Sequence, residues 1–485
     1  MMDMTTMNMN LITAIPEIFM AVMIVFMLLL DAFIDESKKS VNTILTILTL
    51  IGGYILQLIV FVPTQISMAF NGMFVLDGLA EGMKLFVYVF SIVVVLYIRQ
   101  YINDKKFMKG EFYAIFLFAI LGMQVMISAN NLLILYIGLE LFSLALIGLV
   151  ALNRDSIRST EAAMKYFILS ALASGILLYG ISFIFGATNE LQLDAVFRSI
   201  YAANGQNSGM LVFGLVFIVA GLVFKLGLVP FHMWVPDVYE GASLPATTLI
   251  GTVSEIAGVV FIIRFLVGGL VLLSKEWAVM LSVVAFLSVF LGNIVAISQT
   301  NIKRLLGYSA IAHMGFIAFG LMTVSVNGIS AVLFYVVSYV ITALAGFGVL
   351  LALSEGGFEC EKIEDLSGLS KSHPIYAGIM LLVMFSLAGI PPLVGFYAKF
   401  TILSALIEAG YIKSAVFAVI MALIGAFYYL RVVKVMYFDE KDIELRAANT
   451  GVISRGVLVV NGGLLLLIGI MPGNLMRFCS YLLTS

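Results

Sequence analysis

The sequence predicts an all-α polytopic membrane protein, and three observations carry that reading. Of its 485 residues 62% are hydrophobic and only 11% charged, with a mean hydropathy of +1.12, where a soluble domain carries about 25% charged residues. Apolar stretches of about 17 to 25 residues, each able to cross roughly 30 Å of hydrocarbon as helix, recur from Leu11 to Met471 with short polar breaks between them. They are too long and too uniformly apolar for the strands of a barrel, which alternate and run to about ten residues.

About fourteen spans are expected, over 11–31, 43–62, 76–98, 112–128, 132–151, 163–186, 209–233, 244–272, 277–298, 305–325, 329–353, 375–409, 412–437 and 452–472. The start, "MMDMTTMNMN", has no Lys or Arg, and the first cation is Lys38. The basic start of a secretory signal is missing, so the first span is expected to be retained. The twelfth is too long for one crossing and contains "AGIPPLVG", which predicts two half-helices joined by a break. Most of the 26 Lys and Arg follow odd-numbered spans, among them Lys38, Lys39, Lys105, Lys106, Lys109, Lys441 and Arg446, whereas only Arg198, Lys275, Lys413 and Arg477 follow even-numbered ones. By the positive-inside rule both termini face outward. Cys360 and Cys479 then lie on opposite membrane faces, so no disulfide between them and no cysteine metal motif is expected.

Spans 4 to 8 and 9 to 13 form two five-helix blocks of similar length, and an odd number of crossings inverts the second relative to the first. The chain therefore divides into an N-terminal three-helix segment (1–111), a first repeat (112–272), a second, inverted repeat (273–440) and a C-terminal helix (441–485). The fourth helix of each block carries proline and a lone lysine: "KLGLVPFHMWVPD" with Lys225 and "AGIPPLVGFYAKF" with Lys399. Discontinuous helices at matching positions of inverted repeats line polar sites near the midplane of transporters.

Charges inside the spans are few, and each costs about 2.5–3.5 kcal/mol at a helix centre unless it finds a partner or water. Near the start of the third span, Asp77, Glu81 and Lys84 stand at i, i+4 and i+3 spacings, which predicts a local ion pair. Glu140 is the acid of the fifth span and the natural counter-charge for Lys225, which reads as mid-span in the seventh. Burial disfavours the charged form of a lysine and a nearby carboxylate favours it, so a lysine moving between two such environments is a proton relay. A static ion pair that fixes helix packing is the plainer alternative. Glu255 stands mid-span in the eighth helix and His313 inside the tenth, where an imidazole suits a link between stations but equally a satisfied structural group. Lys399, beyond Pro391-Pro392, reads as a terminal relay station or as a cation that neutralises carbonyls freed by the break. Arg264 reads as packing or interfacial, and Lys303 and Arg304 as snorkelling cations at the mouth of the tenth span.

There is no GxGxxG after a strand, no P-loop, no CxxC and no HExxH, and there are only 3 His. The chain by itself is expected to bind no nucleotide, flavin, iron–sulfur cluster, haem or metal.

Three stretches, "KLGLVPFHMWVPDVYEGA" (225–242), "QTNIKRLLGYSAIAHMGF" (299–316) and "AGIPPLVGFYAKF" (388–400), resemble the antiporter-like membrane subunits of respiratory complex I, and the resemblance extends over nearly the whole chain from "IPEIFM" (15–20). It implies a proton-translocating subunit of an NADH-quinone oxidoreductase in the bacterial cytoplasmic (inner) membrane. Its partners would be the other membrane-arm subunits, with FMN and iron–sulfur clusters held in partner subunits, quinone reduced elsewhere, and no direct NADH binding. In the family pattern a fifth-span Glu, a seventh-span Lys, an eighth-span Lys and a twelfth-span Lys or Glu carry the proton. Glu140, Lys225 and Lys399 occupy the first, second and fourth positions, and His232 and His313 also sit at family positions. The third departs, because Ser254-Glu255 stands where similar sequences have Ser-Lys. A subunit of a Mrp-type sodium/proton antiporter, or a stand-alone ion-coupled solute symporter, would share the broken helices and stay open on sequence alone.

Overall fold

The computed structural model describes residues 10–33, 40–60, 66–104, 110–354, 359–440 and 451–483. Lys38, Lys39, Lys105, Lys106, Lys109, Lys441 and Arg446 lie outside the described residues. The chain is a helical bundle: α1 (Ile15–Asp31), α2 (Ser40–Val60), α3 (Gly78–Asp104), α4 (Glu111–Ser128), α5 (Leu132–Ala151), α6 (Ile157–Thr188), α7 (Leu193–Ala203), α8 (Ser208–Lys225), α9 (Trp234–Gly241) and α10 (Leu244–Ile250). There follow α11 (Val253–Ile262), α12 (Ser274–Ile297), α13 (Ile302–Leu321), α14 (Val326–Leu353), α15 (Leu369–Ser372), α16 (Pro374–Ala388), α17 (Val394–Glu408), α18 (Ile412–Phe438), α19 (Val452–Ile470) and α20 (Gly473–Tyr481). Two short antiparallel strands, Ser67–Ala69 and Phe74–Leu76, form a ribbon between α2 and α3. Among the described residues 13 helices are long and apolar enough to cross a membrane, and the expected twelfth span appears as the two halves α16 and α17.

α14 is buried along its length, with α3, α11, α13, α16, α17 and α19 packed around it. The outward faces of the surrounding helices carry apolar side chains such as Leu172, Val279 and Leu423, the pattern of a surface solvated by lipid.

Among the described residues three spans are interrupted, the seventh and eighth in ways that differ from the expectation. The seventh ends as helix at Lys225, so this lysine is the last residue of α8 and not mid-span. Gly227 then takes φ +62°, open to glycine at no steric cost, and the chain runs irregularly through Pro230 to α9. The eighth was expected to be continuous but breaks at Gly251-Thr252. There the Thr252 and Ser254 hydroxyls bond the Thr248 and Ile250 carbonyls, each at 2.5 Å, so backbone freed by the break stays satisfied without a proline. Beyond α11 the same span continues as a π-helical turn, Ile263–Gly269, a form found mostly as short insertions near functional sites. The twelfth breaks as expected. Gly389 (φ +87°) caps α16, and Pro391-Pro392 leads into α17.

The charges near the third span do not pair locally. Asp77 takes both guanidinium nitrogens of Arg264, at 2.6 and 2.7 Å, which ties the start of α3 to the π-helical turn. Lys84, fully buried, pairs with Glu17 of α1 at 2.6 Å, and Glu81 accepts from the Gln57 amide. The i, i+4 spacing failed as a guide because each side chain faces a neighbouring helix and not its own. Through these two charge-assisted hydrogen bonds Asp77 and Arg264 brace the third span against the eighth.

Nor does Lys303 snorkel. It is buried, with Nζ 3.2 Å from both the Ala242 carbonyl and Glu361. Arg304 bonds Asp237 at 2.9 Å and Glu240 at 3.0 Å, and Lys165 of α6 reaches Asp237 at 2.9 Å. These contacts clamp α9, and with it the seventh-span break, between α6 and α13. Burial acts to raise the Asp237 carboxyl, but Lys165 and Arg304 hold it below its ordinary range. Cys360 and Cys479 are both buried.

Candidate functional site

α5, α6 and α8 enclose a cavity of about 10 Å³, room for about one water, and Glu140, Ser143, Ser170, Ser174 and Lys225 line it. Lys225 ends α8, where a helix favours positive charge. Its Nζ donates to Ser143 Oγ at 3.0 Å and stands 3.8 Å from the centre of the Phe142 ring, a cation–π contact. Ser174 Oγ donates to Glu140 Oε1. The acid and the base thus line one cavity, each hydrogen-bonded there to a serine hydroxyl.

Glu255 lies in the first turn of α11, directly after the eighth-span break, and is 8% exposed. Tyr166 stacks on Trp234 with ring centres 4.6 Å apart, and its buried hydroxyl has no hydrogen-bond partner.

Tyr339, on α14, packs against His313 of α13. Its ring centre is 5.2 Å from that of His313. His313, 6% exposed, is bonded on both nitrogens, Nδ1 to the Tyr335 hydroxyl at 2.7 Å and Nε2 to the Tyr429 hydroxyl at 3.1 Å. Both partners can donate or accept, so a proton can cross the imidazole from one nitrogen to the other. A second cavity of about 10 Å³ opens beside it, lined by His313, Tyr335, Ser338, Tyr339, Thr342 and Ser386 among others.

Lys399 sits one turn into α17. It donates to the Leu387 and Ala388 carbonyls at 2.8 and 3.0 Å, the free end of α16, and its Nζ is 5.5 Å from the Phe316 ring centre. Gly389 makes room, because a Cβ there would meet Lys399 Cδ at 3.0 Å. Lys399 therefore does neutralise the carbonyls of the break; the two expected roles coexist in one side chain. Lys225 precedes its break and Lys399 follows its own, yet both ammonium groups stand at the C-terminal end of a half-helix. His232 is set apart. It lies half-buried in the seventh-span break, Nδ1 without a partner, and does not line the Lys225 cavity.

The residues not anticipated are the hydroxyls: Ser143, Ser174, Tyr335, Ser338, Tyr339, Thr342 and Tyr429. A signal for some of them was present. Tyr335, Ser338, Tyr339 and Thr342 recur at i, i+3, i+4 and i+7, one face of α14.

The chain is similar to known proteins over nearly its whole length. The family described as "NADH:quinone oxidoreductase/Mrp antiporter, TM" matches residues 129–425. NADH-quinone oxidoreductase subunit N of Laribacter hongkongensis is 50% identical over 473 residues, 97% of each chain. A chain of respiratory complex I from Thermus thermophilus superposes with a TM-score of 0.81 at 28% identity, covering 96% of this chain and 99% of that one. A chain of the Mrp complex from Dietzia sp. reaches 0.83 at 19% identity, covering 98% and 97%, a likeness of fold. The chain belongs to the subunit N family of NADH-quinone oxidoreductases.

Proposed function

We propose that this chain carries protons across the bacterial cytoplasmic membrane as a non-redox subunit of NADH-quinone oxidoreductase, driven by quinone reduction elsewhere in the complex. One observation supports this above the others: each of the three interrupted spans sets an ionisable group at its break, Lys225, Glu255 and Lys399, and His313 stands in ring contact with Tyr339. A change of charge in the subunit nearest the quinone site shifts Glu140 toward or away from Lys225. When the two separate, Lys225 gives up its proton toward Glu255, and Tyr339 and His313 pass it to Lys399. Spans 4–8 and 9–13 act as inverted halves of one device, both termini face the outer side, and this chain holds no flavin, iron–sulfur cluster or NADH.

Isolation of the tagged chain in mild detergent tests the assignment. It should bring down other membrane subunits together with a hydrophilic arm that has flavin and iron–sulfur absorbance. Membrane subunits alone, without that absorbance, would point to a sodium/proton antiporter, and a solitary oligomer stabilised by a solute to a symporter.

A further inference from the structure

A second buried charge cluster lies outside both five-helix blocks, between the N-terminal ends of α1 and α3 and the C-terminal end of α2. Glu17, Gln57, Glu81 and Lys84 are 6%, 0%, 4% and 0% exposed. Lys84 pairs with Glu17 at 2.6 Å and stands 4.6 Å from the Phe74 ring centre, while the Gln57 amide nitrogen donates to Glu81 Oε2. Tyr88, one turn along α3, gives its hydroxyl to Met20 Sδ, and Leu482 lies against Gly82 on the side of α20. Asp77, one turn before Glu81, is engaged by Arg264. The cluster proper therefore holds two carboxyl groups and one ammonium.

With both carboxyls ionised it would be short of one positive charge and of one donor. Three oxygens have no hydrogen-bond partner: Glu17 Oε2, Gln57 Oε1 and Glu81 Oε1. Every one of them is an acceptor, and an unpaired charge in such surroundings is expensive. A single proton on Glu81 would remove the excess negative charge and give two of the three oxygens, Glu81 Oε1 and Gln57 Oε1, a partner. A primary amide and a protonated carboxyl pair through two hydrogen bonds, N–H to one carboxyl oxygen and O–H to the amide oxygen, and Gln57 already makes the first of these to Glu81.

We propose that Gln57 and Glu81 form a proton-holding site, in which Glu81 keeps a proton on Oε1 and donates it to Gln57 Oε1, leaving Glu17 as the sole carboxylate for Lys84. The two acids compete for one lysine. When Glu17 loses its charge, Lys84 becomes available to Glu81, which then releases its proton. The site stores one proton under the control of the Glu17–Lys84 pair, beside the brace that links α3 to the Glu255-bearing span.

Infrared spectra of the assembled complex, recorded in H₂O and in D₂O without sodium, test this. The wild type should show the C=O stretch of a buried protonated carboxyl, displaced in D₂O, and that band should be lost both in Glu81→Gln and in Glu17→Gln. The second variant keeps the question answerable if the first fails to assemble. A band unchanged in Glu81→Gln, or retained in Glu17→Gln, would overturn the proposal. So would a wild-type band abolished by adding Na⁺ at constant pH, which would make the ligand a metal cation.

Discussion

Replacing Lys225 by alanine in the assembled complex is expected to lower proton translocation and quinone-linked turnover together. A positioned acid–base group contributes about 10²–10⁴-fold to a proton transfer, so a fall on the order of a hundredfold is expected in the step through this chain. Lys225 is the one ammonium in its cavity, and with it gone Glu140 is left with the hydroxyls of Ser143, Ser170 and Ser174, which do not ionise near neutral pH. Turnover falls as well because translocation and quinone reduction are proposed to be coupled. Proton uptake by liposomes containing the purified complex, measured beside quinone reduction in the same sample, gives both quantities.

Glu255→Gln should have the next largest effect, a loss of translocation at least on the order of tenfold. The amide keeps the size and much of the polarity of the carboxyl but cannot take up and release a proton at neutral pH. Glu255→Asp, which keeps the acid, should retain most of the activity. If Gln and wild type pumped alike in the same liposome assay, the path would bypass the eighth span, and the Tyr339–His313 contact would be reached from Lys225 by another route. The position matters because a lysine is the residue implied there by the family resemblance; the relay proposed here passes through an acid at its centre.

Much of the architecture is legible in the sequence, and the limits are physical. Long apolar runs specify helices because backbone in lipid must bond to itself, and the prolines at 230 and 391–392 announce two of the three breaks. The break at Gly251-Thr252 was not legible, since threonine and serine hydroxyls satisfy the freed carbonyls without any residue that forbids a helix. Glu140, Lys225, Glu255, His313 and Lys399 stand out because charge and imidazole are rare in apolar spans. Their partners do not, because a tyrosine or serine in such a span costs little and carries no mark of what it faces. The same limit explains Asp77, Glu81 and Lys84: spacing along one helix says nothing about Arg264, Gln57 and Glu17, which approach from other elements.

The most direct test is Lys225→Arg. Arginine keeps the positive charge at the end of α8 and can still attract Glu140, but it does not give up its proton in proteins. A relay through Lys225 predicts that complexes carrying Lys225→Arg, assembled and purified with their full set of subunits, fail to acidify or alkalinise the liposome interior on quinone reduction, just as Lys225→Ala does. Proton translocation and quinone reduction both retained at wild-type rates would contradict the relay and leave Lys225 as a static charge that holds α5 and α8 together.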